Sequence, residues 1–295
     1  MSLVTTVWPP AGSVDAHVHL MDPAFAFSPT RRYTPAPATV TDLRAHLQRL
    51  GMQRVVCVQP SVYGSDNRCL CDGLARLGAA ARGVAVLAPS HSETEITALV
   101  QAGVRGVRLN LAVNRHGTIR DAQQEIEQVA AQMTAHPELH LQLHVRPEHL
   151  LACLPQLSTL QRPVVLDHHA LLPLGQDGAE MRAQVIAALR ASPDLWVKLS
   201  GPYQISARAA PYGDVAPLAR ALIEAAPARV LWGSDWPHPA GAHRATTAGR
   251  DTIEPFRQED DAAQLAALRA WLADEAVLQA LLVDNPARLY GWSAA

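Results

Sequence analysis

Two imidazoles stand two residues apart near the start of the chain, His17 and His19 in Val14-Asp15-Ala16-His17-Val18-His19-Leu20. In an extended strand, residues i and i+2 face one side, so both rings are expected to project together. Buried imidazoles each need a polar partner, and a pair on one face suits metal ligation or acid–base chemistry. A pair of satisfied core histidines is the plainer alternative. Near the other end, Leu231-Trp232-Gly233-Ser234-Asp235-Trp236-Pro237-His238 puts Asp235 after an apolar run. A carboxylate there can be a general base, a metal ligand or a loop cap. Four more apolar runs end in polar groups: Arg108 and Asn110, then His144, then Asp167-His168-His169, then Lys198 and Ser200.

The elements that must position these groups are short apolar, β-branched runs alternating with amphipathic stretches, the pattern of βα units. The runs predict eight strands: Ser13–Leu20, Arg54–Gln59, Gly83–Ala88, Val104–Leu111, His140–Val145, Pro163–His168, Leu195–Gly201 and Arg229–Ser234. Helices are predicted at Thr41–Leu50, Asn67–Ala79, Glu93–Ala102, Ala122–Ala135, Pro147–Leu157, Ala179–Ala191, Val215–Ala225 and Asp261–Leu272, with a last one at Asp274–Leu282. Thr39, Thr41 and Asp42 offer an N-terminal cap for the first helix, and Gly51 a stop. The expected fold is a single-domain α/β protein, a (β/α)8 TIM barrel spanning residues 1–295. No Gly-rich dinucleotide turn follows the first strand, which argues against an open doubly wound sheet. In a closed barrel, strands one and eight are neighbours, so the paired histidines and Asp235 should converge. Two long connections, Met21–Val40 and His238 to about Asp260, are expected to wall or cover that mouth.

Composition narrows the function. The 295 residues are 48% hydrophobic and 18% charged, enough for a large core. The net charge of −2, with no basic block, argues against a nucleic-acid or polybasic membrane surface. No run approaches the roughly 20 apolar residues of a bilayer span, and the opening residues lack a secretory pattern. The four cysteines form no CxxC pair, so a cytoplasmic protein without a disulfide framework is expected. Lys198 is the only lysine among 25 basic residues, a sign that it does something arginine cannot. His46, His116, His136, His140, His149 and His243 are expected to be solvated, and His169 to point away from the site into the scaffold.

These residues together resemble the amidohydrolase superfamily, of the amidohydrolase 2 type, from about Val14 to Tyr290. The finer similarity is to its branch of pyrone-dicarboxylate and sugar lactonases. It rests on Arg31-Arg32-Tyr33-Thr34-Pro35, Gln59-Pro60-Ser61, Gly64-Ser65-Asp66-Asn67, Gly106-Val107-Arg108-Leu109-Asn110, Leu166-Asp167-His168, Lys198-Leu199-Ser200-Gly201 and Gly233-Ser234-Asp235-Trp236-Pro237-His238. The resemblance implies a hydrolase that opens a lactone bearing a carboxylate or sulfonate. Asp235 would activate water, and His17, His19 and His168 would polarise the carbonyl or stabilise the oxyanion. Tyr33, Ser61, Arg108 and Arg115 would hold the substrate's anionic groups, with Lys198 and His238 as further contacts. For Arg115 a solvated loop position is the plain alternative, and for Lys198 the buried partner of Asp235 or Asp167.

Three positions depart from the pyrone-dicarboxylate pattern: His144 for a tyrosine, Tyr203-Gln204 where a further arginine stands, and Ala240 for a polar residue. A lactone with a single anionic group therefore fits at least as well. His144 also opens a metal reading, with His17, His19, His144 and Asp235 as an N3O set for one Zn²⁺ or Mn²⁺. A site needing no cofactor is the expectation set beside it. A binuclear centre is excluded, because strand four offers no bridging lysine or glutamate. The partners expected are a small anionic lactone and no nucleic acid or membrane, with room for a homo-oligomer. A zinc-dependent decarboxylase of an aromatic or unsaturated acid, and a non-catalytic binding barrel, are the competing functions.

Overall fold

A computed structural model describes residues 8–112, 117–239 and 249–293. Eight parallel strands follow chain order in one sheet: β1 (Val14–Val18), β2 (Arg54–Val58), β3 (Ala81–Ala85), β4 (Val104–Asn110), β5 (His140–His144), β6 (Val164–Leu166), β7 (Leu195–Ser200) and β8 (Val230–Gly233). Beyond β8 the chain returns to β1. Val18 bridges Trp236 in parallel, the Asp235 N–H donates to the His17 carbonyl at 2.9 Å, and the His19 N–H to the Trp236 carbonyl at 2.8 Å. Those contacts close the sheet into the expected (β/α)8 barrel.

The outer layer is α1 (Val40–Leu50), α2 (Arg68–Leu77), α3 (Glu93–Gln101), α4 (Ile119–Gln132), α5 (Pro147–Leu157), α6 (Ala179–Ala191), α7 (Ala216–Ala225) and α8 (Asp261–Leu272). The first shows how sequence sets each one. Its buried face, Val40, Leu43, His46, Leu47 and Leu50, recurs at helical spacing. Asp42 accepts from the Thr39 N–H at 2.9 Å and hydroxyl at 2.7 Å, and Gly51 ends the helix at φ 72°. Helix α4 begins before the expected Ala122, because Thr118 and Asp121 form a capping box.

The chain end departs from expectation. Helix α9 (Glu275–Gln279) does not stop at Leu282 but runs through a π-turn, Ala280–Asp284, into α10 (Asn285–Tyr290). Asn285 secures the join by donating to the Pro227 and Val230 carbonyls, both at 2.9 Å. Tyr290, fully buried, packs edge-on against the His140 ring at 5.2 Å. The two long loops, both read from sequence as walls, are zipped together. Thr34–Pro35 pairs in parallel with Ile253–Glu254, and Arg31 meets Asp251 at 2.6 Å. Among the described residues no helix is long and apolar enough to cross a membrane.

Candidate active site

The site is built at the C-terminal ends of the strands, beginning with an irregularity in β1. Asp15 lies opposite Val55 and Val18 opposite Cys57, three residues against two, so Ala16 and His17 share one rung of the ladder. Asp15 points outward to His46 of α1, at 3.3 Å. Strict alternation would send His17 the same way; the extra residue returns His17 and His19 to the interior. Neighbouring strands make room. A Cβ on Gly233 would lie 2.6 Å from that of His17, and one on Gly201, already at φ 50°, would lie 2.8 Å from Asp235 Oδ2. Asp235 and His168 adopt left-handed backbone at φ 66° and 49°. Such conformations cost of order 1 kcal/mol for non-glycine residues and gather where surrounding structure imposes them, as at functional sites.

Asp235 is the hub. Its Oδ1 faces His19 Nε2 at 3.3 Å and His17 Nε2 at 3.6 Å, and its Oδ2 lies 3.9 Å from His168 Nδ1. The Tyr203 hydroxyl donates to Oδ2 at 2.6 Å, so the two oxygens are not equivalent: one is held, the other looks into the imidazoles. Behind His17 stands Asp167, 3.4 Å from Nδ1, itself taking a 2.9 Å bond from Arg108 Nε. His19 Nδ1 lies 2.8 Å from the Val58 carbonyl and His168 Nδ1 3.0 Å from Ser200 Oγ. His144 Nδ1 lies 2.9 Å from Asn110 Oδ1, and its ring meets His168 edge-on at 5.1 Å.

Burial alone would raise the Asp235 pKa. The surrounding imidazoles, His168 first and then His19 and His17, outweigh it and hold the carboxyl well below its usual range. Asp167 is likewise held low: burial opposes, and Arg108 and His17 prevail. Burial pushes His17, His144 and His168 the other way, below the usual imidazole value. The site thus favours ionised carboxylates, while burial opposes a charge on each of these three rings.

All four residues read from sequence as catalytic, Asp235, His17, His19 and His168, are brought together and buried. Of the expected metal set, His144 sits beside His168, whereas the tightest triad of donors is His17, His168 and Asp235, within 4.8 Å of one another. Tyr33 and Ser61 lie on the connections after β1 and β2, Tyr33 buried and Ser61 exposed. Arg108 is buried, its Nε committed to Asp167. His238 is also buried, and its Nε2 lies 2.9 Å from Asp261. Arg115, Ala240, His116 and His243 lie outside the described residues.

Two expectations are corrected. Lys198 is fully buried, and its ammonium bonds the Ala16 carbonyl and Gln142, with no ion pair to a carboxylate among the described residues. His46, His136 and His140 are buried rather than solvated, because each lies on an inward face of its element or turn. Sequence reasoning also missed Tyr203. It follows Ser200-Gly201-Pro202 on the loop after β7, where an aromatic hydroxyl at a barrel mouth was the available signal.

This barrel, with histidines at the ends of its first and sixth strands answering an aspartate after its eighth, defines a class: residues 14–292 match the family described as Amidohydrolase, and the chain belongs to it. Among its relatives, a 2-pyrone-4,6-dicarboxylate hydrolase of Comamonas testosteroni is 35% identical over 295 residues, covering 95% of this chain and 90% of that one. A 4-sulfomuconolactone hydrolase of Rhizobium radiobacter is 32% identical, covering 96% and 91%. An apo crystal structure from Agrobacterium tumefaciens superposes with a TM-score of 0.79 at 28% identity, covering 97% of this chain and 98% of its own.

Proposed function

We propose that this chain hydrolyses a small lactone carrying a carboxylate or sulfonate. The observation that carries the reading is the ionised, partly tethered Asp235 aimed at several imidazoles. Tyr203 fixes Oδ2, which leaves Oδ1 to take a proton from water. The water oxygen bonds the lactone carbonyl carbon, charge gathers on the carbonyl oxygen among the imidazoles, and the ring C–O bond then breaks. The departing ring oxygen leaves with the proton Asp235 received. Arg108, whose terminal nitrogens remain for a substrate anion, and Arg115 orient the acid group. The two zipped loops wall the mouth. Names among the relatives support the class, since they include hydrolases of 4-sulfomuconolactone and of 2-pyrone-4,6-dicarboxylate and, from Agrobacterium fabrum at 32% identity, a D-galactarolactone isomerase.

The donor set fits one divalent cation. A carbonyl only accepts, so His19 Nδ1 carries the hydrogen toward Val58, and in a neutral ring its Nε2 is a lone pair facing the Asp235 carboxylate. His17, lying between two carboxylates, also turns a lone pair on one of them. His17 Nδ1, His17 Nε2 and Asp235 Oδ1 have no hydrogen-bond partner among the described residues. Convergent acceptors call for a positive centre. His17, His19 and Asp235, with His168 or His144, would hold Zn²⁺ or Mn²⁺, and such an ion supplies Lewis acidity toward the carbonyl. Without it, the positive centre is a proton on one of the rings.

Proton stoichiometry tests the function. Across a panel of anionic lactones, one proton released per turnover marks ring opening, none marks isomerisation, and proton uptake with carbon dioxide release marks decarboxylation. Ring opening is expected. Loss of activity in a chelator, with recovery on adding Zn²⁺ or Mn²⁺, is expected if the ion is required. A panel with no ring opening contradicts the reading.

A further inference from the structure

The sole lysine of the chain is used neither at the surface nor by the chemistry above, yet it lies beneath the one irregular rung that the site depends on. Lys198 projects from β7 into the barrel interior with no exposure to solvent. Its Nζ donates to the Ala16 carbonyl at 2.9 Å and to Gln142 Oε1 at 2.7 Å, and lies 5.9 Å from the Tyr290 ring centroid. Two N–H bonds thus meet a carbonyl and an amide oxygen, with the Tyr290 ring at the outer limit of a cation–π contact. Ala16 is the residue that shares its rung with His17. The carbonyl that Lys198 holds therefore belongs to the peptide joining the two residues of the slip. That peptide's orientation decides whether His17 faces Asp235 or follows Asp15 outward.

We propose that Lys198 is a positioning residue: through the Ala16 carbonyl it locks the slipped rung of β1 that turns His17 toward Asp235 and Asp167. A compact ammonium suits this place and a guanidinium does not, because the buried space between Gln142, Tyr290 and the β1 backbone has two acceptors that converge on one point. In a chain whose other 24 basic residues are arginine, this accounts for the one exception. Holding a charge there is costly: burial pushes the Lys198 pKa down to about 7, against the pull of Asp167. The group is thus poorly suited to stabilising the fold.

The lock rests on the hydrolytic reading only for its kinetic arm. On a lactone that the wild type opens, Lys198→Met is expected to lower kcat about 100-fold, the cost of misplacing a catalytic group by roughly 1 Å. KM should stay within about threefold, and the melting temperature should not fall. Lys198→Arg should fail to rescue. Wild-type kcat in Lys198→Met, or a change confined to KM, overturns the proposal. The second arm needs no activity: the crystal structure of Lys198→Met is expected to show the Ala16 peptide turned and His17 drawn away from Asp235. An unmoved His17 overturns the lock whatever the substrate. If Lys198→Met does not fold, wild-type protein labelled with ¹⁵Nζ-lysine decides. Its single resonance should be slow to exchange and coupled through the hydrogen bond to the Ala16 carbonyl carbon, and absence of that coupling overturns the proposal. Failure of the wild type to open any lactone removes only the kinetic arm.

Discussion

Two histidine–carboxylate clusters sit back to back across the end of β1, and they are finished differently. Outside the barrel, Asp15 takes bonds from the Ser234 N–H at 2.9 Å and hydroxyl at 2.6 Å and lies 3.3 Å from His46 Nε2. His46 stacks on Trp236 and reaches toward Asp261, which lies 2.9 Å from His238 Nε2. Inside, His17 faces two carboxylates at 3.4 and 3.6 Å, and neither of its nitrogens has a hydrogen-bond partner among the described residues. The same residue types, a few ångströms apart, are largely bonded on one side, where His238 Nδ1 and Asp261 Oδ1 lack partners among the described residues, and leave both His17 nitrogens and Asp235 Oδ1 unspent on the other. Unmet polar groups in a buried place are expensive, and those of His17, Asp167 and Asp235, which face one another at the barrel mouth, mark a site awaiting substrate, water or an ion.

Substitutions on either side should separate rate from stability. The largest effect is expected for His17→Asn, roughly 10³-fold in lactone hydrolysis, with a loss of unfolding free energy smaller than the outer cluster shows. Next comes Asp15→Ala, which strands the Ser234 N–H and His46. It should cost about 3 kcal/mol in urea unfolding, larger than its effect on kcat in the folded protein. Equal damage by both variants to both quantities would erase the distinction.

The clusters should also carry opposite pH dependence, measured by denaturation of chelator-treated protein across about pH 5 to 8. Burial depresses His17, His144 and His168, so the unfolded chain takes protons that the folded one refuses. Stability from the inner cluster is therefore present above about pH 6.5 and lost as pH falls from there toward the folded values. His238 runs the other way. Burial lowers it, but the hydrogen bond and charge of Asp261 prevail and raise it, so its contribution is present below about pH 6.5 and lost as pH rises through its folded value. Removing His144 should flatten the acid side and removing His238 the alkaline side. The smallest effect is expected for Ser200→Ala, which frees His168 Nδ1 from its 3.0 Å contact and should cost up to about tenfold in kcat, with little change in melting.

The contrast also explains what the sequence made legible. The barrel could be read because eight apolar runs alternate with amphipathic ones, and all eight strands begin within two residues of where composition put them, β3 furthest off at Ala81 against Gly83. The convergence of His17, His19, His168 and Asp235 followed from closure, since strands one and eight must meet. Two-residue spacing gave the right outcome for His17 and His19 relative to each other, yet it hid the slip that separates both from Asp15. A register shift depends on the partner strand and leaves no local trace. His46 and Lys198 were misread for a related reason: the bonds they make, to Asp15 and Ala16, span 31 and 182 residues of chain. Tyr203 was noted from sequence only as a departure from the pyrone-dicarboxylate pattern, because only folding brings its hydroxyl to Asp235.

Asp235→Asn tests the central claim most directly, with proton release from an anionic lactone and thermal unfolding measured on one preparation. Ring opening reduced by about 10³-fold or more, in a protein that melts at or above the wild-type temperature, is the expected result. A variant that opens the lactone at the wild-type rate, or loses activity only because it unfolds, would contradict the assignment of this carboxylate to chemistry.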